Sequence, residues 1–489
     1  MIYLSTNIPK IFNDLADVVR LFFTDEQIKQ SDSVTGDKEL FAISHNQHVT
    51  DKFYNESYSI LNNGHIDNFN YNYNFIQTKD KISNDRTAKR SAKLGLYYAI
   101  KSISQKSLPW GALTGIRPVS LYRQLDTYEN MSARRQFETV LDVSESKIQL
   151  VEEIIENQED IYFKGPSNDI DVYIGIPFCP TRCLYCSFIS HDLSRHPAPI
   201  EEYVQCLLKE INMLSELKIK HNKHIRCLYF GGGTPTTLGY KNLDTILSAL
   251  SPIITSDCEV TVEAGRVDTI NEDILKVLKK YNVGRISLNP QTFNDDTLRF
   301  INRTHTAEDI YNAFDMAAKY NFDSINTDLI MGLPGESKEH MEHTLKCVRS
   351  LPIDNLTIHT LAIKRASKIK MENISLDYAP ADIVAEMIDK GRNLAHEMDM
   401  RPYYLYRQKY MSGNLENVGY SKKGKQCIYN IDIMEETHNL VALGAGAISK
   451  RFFYNENLHT RFSNPKSVDH YIKNIDTIIT DKEEYFNNF

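Results

Sequence analysis

Long apolar runs are missing. No stretch of the 489 residues approaches the ~20 apolar residues needed to span a bilayer. The chain begins Met1-Ile-Tyr-Leu-Ser-Thr-Asn7, without a basic region ahead of an apolar one and without a small-residue cleavage site. These absences lead to the expectation of a cytoplasmic protein with no membrane span. An excess of positive charge is missing too. Lys and Arg number 56 against 64 Asp and Glu, a net charge of -8, which argues against a nucleic-acid binder. Tryptophan occurs once, at Trp110. Paired cysteines are scarce: Cys206, Cys227, Cys258, Cys347 and Cys427 stand singly among apolar neighbours, the usual setting of a small buried side chain. No disulfide framework follows, and a reducing compartment fits. The length predicts two to four domains with a sizeable core.

What is present is concentrated in Tyr173-Ile-Gly-Ile-Pro-Phe-Cys179-Pro-Thr-Arg-Cys183-Leu-Tyr185-Cys186. Three thiols at C-x3-C-x2-C spacing follow a short β-like run, Val172 to Ile176. Thiolates are the usual ligands of iron–sulfur clusters, and a [4Fe–4S] centre takes four ligands. Three are local and no fourth cysteine is near, so one iron would keep an open position. A zinc knot and an oxidised disulfide loop are the alternatives; a structural zinc site wants four ligands, and the candidate nearby is His191.

From Asp171 the pattern alternates. Strands Val172–Ile176, Arg226–Phe230, Glu259–Glu263, Arg285–Asn289, Ser324–Met331 and Asn355–Leu361 are separated by helices, Ile200–Leu217 to Lys338–Leu351. Six βα units predict a parallel sheet with helices outside. Six are too few for a closed eight-fold barrel, so an open, three-quarter (β/α)6 TIM barrel is expected. In such sheets sites form at the C-terminal strand ends. There lie the cysteine loop, Gly231-Gly232-Gly233-Thr234-Pro235, Glu263, Gln291, Asp328 and His359. Residues 1–165 are expected as an N-terminal α+β domain with an Asn/Tyr-rich patch at Asn62 to Asn74, 166–370 as the barrel, and 371–489 as a smaller C-terminal domain. The Trp110-Gly-Ala-Leu-Thr-Gly-Ile-Arg117-Pro118 corner is read as packing, with a substrate entrance lined by Trp110 and Arg117 as the other reading.

The cysteine spacing with Tyr185 before the last thiol, joined to Gly-Gly-Gly-Thr-Pro, resembles the radical S-adenosylmethionine (SAM) superfamily. In that family the open iron chelates SAM, and an electron from the cluster cleaves it to a 5′-deoxyadenosyl radical. The segment 108–118, Tyr403-Tyr-Leu-Tyr406-Arg407-Gln408, Asn414-Leu-Glu-Asn-Val-Gly-Tyr420 and Gly444-Ala-Gly-Ala-Ile-Ser449 sharpen the resemblance. They are similar to the oxygen-independent coproporphyrinogen III oxidases, in a long variant with an added N-terminal domain.

The resemblance implies a [4Fe–4S] cluster on Cys179, Cys183 and Cys186. It implies SAM contacts at Gly232, Gly233, Thr234, Glu263, Gln291, Arg303 and Asp328, and catalytic positions at Tyr173 and Tyr185. The implied reaction is the oxidative decarboxylation of coproporphyrinogen III propionates to the vinyl groups of protoporphyrinogen IX. An electron donor such as flavodoxin or ferredoxin, and a monomeric state, go with it. Tyr403, Tyr404, Tyr406 and Tyr410 with Arg407 and Lys409, and Lys422, Lys423 and Lys425, are read either as a slot for the tetracarboxylate macrocycle or as an ordinary strand with a solvated basic loop. Gly175 and Phe188 depart from the best-studied branch, which has His and Cys there. A haem-binding chaperone of the same fold and a radical SAM methyltransferase acting on a tetrapyrrole are the alternatives.

Overall fold

The computed structural model describes the chain apart from residues 25, 32–40, 76–80, 127–130, 189, 196, 365, 373, 375, 377, 409, 410, 455–457 and 488. The described chain forms two compact units, residues 1–152 and 153–489.

In the first unit, strands β1 (Ile2–Thr6), β2 (Ile28–Gln30), β3 (Phe41–Val49), β4 (Phe53–Asn62) and β5 (His65–Asn74) make a sheet of order β2-β1-β3-β4-β5. Most of the Asn/Tyr-rich patch is therefore strand: all ten residues of β5 pair with β4. Asn63 and Gly64, both at positive φ, form the two-residue turn whose twist suits such a hairpin. Helices Phe12–Phe22 and Lys81–Ser104 accompany the sheet. The buried His45 imidazole lies 2.8 Å from a Glu56 carboxylate oxygen, and the Ser91 hydroxyl donates to the same carboxylate. Trp110 is buried. Gly111 beside it holds φ +50, and a Cβ there would lie 2.0 Å from the Leu141 carbonyl oxygen, so this corner tolerates only glycine.

The second unit is built on one eleven-stranded sheet. Strands β6 (Asp169–Ile176), β7 (His224–Gly232), β8 (Glu259–Glu263), β9 (Arg285–Ser287), β10 (Ser324–Met331) and β11 (Asn355–Thr360) lie side by side in chain order, all parallel. The helices between them are amphipathic, and some carry a side-chain cap. In Glu272–Lys280, for example, the Asn271 side chain accepts from the Ile274 N–H, acids fill the first turn and lysines the last, which matches the helix dipole. Its Ile274, Leu275, Val277 and Leu278 are buried.

The units differ from the three domains expected, for two physical reasons. The division falls after Glu152 because the next residues bond into the second unit. Glu153 pairs with Arg392 at 3.2 Å, and the Gln158 amide donates to the Tyr403 carbonyl at 2.8 Å. Residues beyond 370 are not a separate domain, because they extend the barrel sheet at both edges. Strand β13 (Asn417–Ser421) pairs antiparallel with β11 and carries β12 (Arg401–Tyr406) outside it. At the other edge β14 (Asn439–Leu443) lies parallel to β6 as a seventh parallel strand, followed by β15 (Ile448–Phe453) and β16 (Leu458–Ser463). Helix Ile475–Tyr485 is held there by the fully buried Lys482, which donates to Glu210 and, at 2.7 Å, to the Ala442 carbonyl. Glu210 also accepts from the Tyr471 hydroxyl and the Gly444 N–H, both at 2.6 Å. A buried pair of this kind persists only with its remaining bonds made, and here they are made.

Candidate active site

The C-terminal ends of the parallel strands open into one cavity of about 520 Å³. Strand β6 ends at Ile176, and the chain turns into the thiol loop. The end of β7 is sewn to that turn: the Gly233 N–H donates to the Ile176 carbonyl and the Thr234 N–H to the Phe178 carbonyl, both at 2.7 Å. Glycine is required here. Gly232 sits at φ +111, and a Cβ on Gly233 would lie 2.5 Å from the Phe178 oxygen and 3.0 Å from Cys179 Sγ. The loop's far side is braced by the Asn302 amide, which donates to the Arg182 carbonyl at 2.8 Å, and by the Thr181 hydroxyl, which donates to the Asn302 carbonyl at 2.9 Å.

Cys179, Cys183 and Cys186 all line the cavity. Burial raises the Cys179 thiol and pushes Cys186 up to about 12, so thiolates form here only against strong positive charge. Two buried guanidiniums stand by. Arg266 lies 4.0 Å from Cys183 Sγ and is fixed by two hydrogen bonds to Asp268, at 2.9 and 2.6 Å. Arg303 donates to the Asn289 carbonyl at 2.6 Å and approaches the Tyr185 hydroxyl at 3.4 Å. Of the other cysteines, Cys427 lines the cavity, on the floor beside Glu259 and Arg285. The His191 ring packs on Phe178 rather than completing a zinc set. Three convergent thiols with no nearby fourth fit a cluster that keeps one open iron.

The polar rim fits a small, many-handed ligand. The buried Gln291 side-chain oxygen, the Asn289 side-chain oxygen and Arg303 Nε have no partner. Such orphaned groups are costly unless a ligand meets them. Gln291 also holds φ +72, a strained conformation of the kind that collects at ligand sites. Glu263 accepts from the Tyr229 hydroxyl at 2.6 Å; burial, assisted by the Asp328 charge, raises its carboxyl to about 7. Burial would raise Asp328 as well, but hydrogen bonds from His359, Asn326 and Thr357 outweigh it and hold the group below its usual range. Every site residue expected from the sequence lies on this cavity: Tyr173, Tyr185, Gly232, Gly233, Thr234, Glu263, Gln291, Arg303 and Asp328 join the three thiols.

The expected macrocycle slot divides. Tyr403, Tyr404 and Tyr406 line the cavity. Arg407 does not; it is buried and donates to the Asn414 carbonyl at 2.8 Å. Lys422 pairs with Asp354 and Lys425 donates to the Asp323 carbonyl, at the opposite ends of the strands, where Lys423 also lies. These three lysines therefore belong to a solvated basic loop, not to the slot. Lys409 and Tyr410 lie outside the described residues. Among the lining residues not singled out from the sequence are Arg266, Tyr229, Tyr429 and Lys364. Tyr429 stacks on Tyr229 at 4.3 Å and on Tyr173 at 6.0 Å between ring centres. Arg266 had a readable signal, an Arg-x-Asp just past the end of a barrel strand; Tyr429 had none. At Gly175 a Cβ would lie 3.3 Å from the Leu443 carbonyl oxygen and 3.6 Å from that of Ala445, so a side chain there is crowded by the end of β14 and the residues after it.

At the opposite end of β6, Asp171, Asp432 and His438 bring ligand-type atoms within 4.8 Å of one another. Arg226 Nε stands 3.0 Å from Asp432 and already supplies the countercharge, so this is an ion-pair network.

The comparisons agree with this geometry. Residues 173–348 match the family model described as "Radical SAM superfamily", whose members use a [4Fe–4S] cluster and SAM. The chain is 36% identical over 420 residues to "Oxygen-independent coproporphyrinogen-III oxidase-like protein HemZ" of Bacillus subtilis (strain 168), covering 84% of this chain and 81% of that protein. It is 32% identical over 222 residues to "Heme chaperone HemW" of the same organism, covering 44% of this chain and 57% of that one. Among solved structures, the Escherichia coli coproporphyrinogen III oxidase HemN shares the fold, with a TM-score of 0.53 at 22% identity over 64% of this chain and 70% of that one. On the thiol loop, the glycine loop and a relative matched over most of both lengths, the chain belongs to the radical SAM superfamily, among the oxygen-independent coproporphyrinogen-III oxidase-like proteins.

Proposed function

We propose that the protein oxidatively decarboxylates propionate side chains of coproporphyrinogen III to vinyl groups without molecular oxygen. The observation that carries this reading is that the three thiols, the glycine loop and seven tyrosines line a single cavity. Cys179, Cys183 and Cys186 would hold the cluster, and Gly232, Gly233, Thr234, Glu263, Gln291, Arg303 and Asp328 the polar groups of SAM. Bound together, these two groups supply abstraction of a hydrogen atom from an unactivated carbon.

The chain's own residues do the rest. Gly233 lets the backbone approach the thiol loop, and Arg266 and Arg303 offset the negative charge of the thiolates. Tyr173, Tyr229 and Tyr429 present stacked rings that seat one face of a macrocycle and keep water from the reacting carbon. Burial raises the Tyr173 phenol far above its ordinary range, so it stays protonated and donates. Tyr185, beside Arg303, borders the same space. Lys364, on the rim, takes a propionate carboxylate. Each propionate loses a hydrogen atom, CO2 and one electron, and the electron passes to an acceptor outside the chain.

A second reading, haem binding for delivery, has the HemW-type relatives in its favour. One anaerobic experiment separates them. Reconstituted protein is given SAM, reductant and coproporphyrinogen III, and 5′-deoxyadenosine and porphyrin products are followed by chromatography, with Cys183→Ala as control. Substrate-dependent loss of two carboxyl groups, absent in the variant, supports the oxidase. SAM cleavage with the porphyrinogen returned intact, together with stoichiometric haem binding, would replace it with the chaperone.

A further inference from the structure

The two edges of the first unit's sheet are built differently. At one edge β2 is three residues long and carries the exposed Lys29, the short charged strand that keeps an edge from pairing with other chains. At the other edge β5 runs for ten residues, His65-Ile-Asp-Asn-Phe-Asn-Tyr-Asn-Tyr-Asn74, without lysine or proline and in unbroken register with β4. Among the described strands β4 is its one neighbour. The hairpin decides which backbone groups are left over. A two-residue turn is flanked by a hydrogen-bonded pair, here Asn62 with His65. In the same phase the Phe75 N–H, just past the strand, donates to the Lys52 carbonyl at 3.0 Å. Odd-numbered residues therefore bond to β4. Ile66, Asn68, Asn70, Asn72 and Asn74 turn N–H and C=O to the open side, and all are exposed.

Such a row is a template for a further strand, and β5 is nearly its own complement. Laid antiparallel on a second β5 about a twofold axis at Asn70, it sets Asn68 opposite Asn72, Phe69 opposite Tyr71 and Asp67 opposite Tyr73. The even-numbered face is then an uncharged band of asparagines, continued by Asn55, Ser57 and Ser59 of β4. A side-chain amide both donates and accepts, so each can bond its like. The other face is aromatic. Phe69 and Tyr71 border a shallow groove with Tyr98, Lys101 and Thr139, the Tyr71 and Tyr98 rings stack at 6.0 Å, and aromatic pairs across strands are stabilising. His65 and Asp67 lie 3.3 Å apart within one chain. An axis at Asp67 would set two carboxylates against each other; the axis at Asn70 keeps them apart.

We infer that β5 is a homodimer seam, through which two copies of this chain join edge to edge with Asn70 on the twofold axis. The occupant is a second copy because the strand matches itself, like to like. A chain of net charge -8 also repels its copy least across an uncharged strip. The family resemblance implies a monomer; the seam lies in the N-terminal unit that the long variant adds. The inference needs nothing from the cavity of the second unit.

The test is the oligomeric state of the reconstituted full chain, followed by sedimentation velocity from about 1 µM to about 100 µM. Wild type is expected to pass from the mass of one chain to that of two. Asn70→Lys and Asn70→Asp each set like charges opposite one another on the axis, and each is expected to weaken association by about tenfold or more. Mixing the two variants restores the dimer, because lysine then meets aspartate, and only a residue that faces itself behaves in this way. Amide hydrogen exchange over residues 66–74 is read in parallel. Protection that grows with concentration in wild type and not in Asn70→Lys places the contact on this edge. Wild type that sediments as one chain throughout would overturn the seam, as would a dimer that survives both substitutions or a mixture that stays monomeric. A monomer whose 66–74 amides are protected at every dilution would mean that the chain covers its own edge.

Discussion

The two ends of the same parallel strands make opposite use of polar residues. At the N-terminal ends, charges meet their partners at once. His224 lies 2.8 Å from Asp169, Arg226 3.0 Å from Asp432, Lys422 3.2 Å from Asp354 and Arg285 3.6 Å from Glu259. At the C-terminal ends Arg266 meets Asp268 and His359 meets Asp328, but Gln291, Asn289 and Arg303 leave buried atoms on the cavity without a hydrogen-bond partner. At the first end the charges are paired within the fold and stabilise it; at the second, polar atoms that face a cavity are left for a ligand. Residue type alone does not distinguish the two, since both ends are rich in Asp, Glu, Arg and Tyr. What distinguishes them is whether the partner comes from the chain.

That contrast can be broken by substitution. The largest effect is expected for Cys183→Ala, which abolishes SAM cleavage while the melting temperature moves by only a few degrees, roughly the shift of a single small side-chain change. A cooperative loss of folding instead would mean that the thiol loop is structural. Asp432→Ala, at the paired end, should do the reverse. It leaves Arg226 and the buried His438 without their carboxylate and costs about 3 kcal/mol in denaturant unfolding, with SAM cleavage per folded molecule unchanged. Lys364→Met is expected to raise KM for the porphyrinogen about tenfold with kcat nearly constant, the mark of a lost binding contact. Lys364→Arg should recover most of it.

The smallest expected effect is a pH dependence of stability. The folded-state value of Glu263, about 7, lies above its ordinary 4.5 because of burial first and the Asp328 charge second. Protonation therefore favours the fold; the contribution is full below the ordinary value and is lost as pH rises through about 7. Because Glu263 borders an open cavity, the screened effect is about 1 kcal/mol. Urea midpoints of wild type should fall between about pH 5 and about pH 8 by more than those of Glu263→Gln. Parallel pH curves would show that the carboxyl is already charged.

Much of the site was legible because its signals are local. The thiols stand within eight positions, the glycine loop follows a strand directly, and Glu263, Gln291 and Asp328 fall at or just past apolar strands whose period is plain. A parallel βα series then brings those strand ends together without further information. The slot residues were harder. Tyr403, Tyr404 and Tyr406 were found as an aromatic run, but Arg407 in the same run faces the interior. Lys422 to Lys425 looked like a cationic edge and stand at the far end of the sheet. A strand's alternation gives two faces and does not say which end or face a neighbouring loop will reach.

Residues a few positions apart suffice for the six strands, the amphipathic helices between them, the three-thiol loop and the glycine loop. Packing is what makes β14 a seventh parallel strand beside β6, sets residues 417–421 and 439–443 at the edges of the barrel sheet, and brings Tyr429 and Arg266 to the cavity that the thiols line. Those outcomes depend on contacts between residues far apart in the chain, such as Lys482 with Glu210 and Gln158 with Tyr403. Long-range pairing is selected by burial and by the need to satisfy every interior hydrogen bond, and both conditions become defined only once the chain has packed.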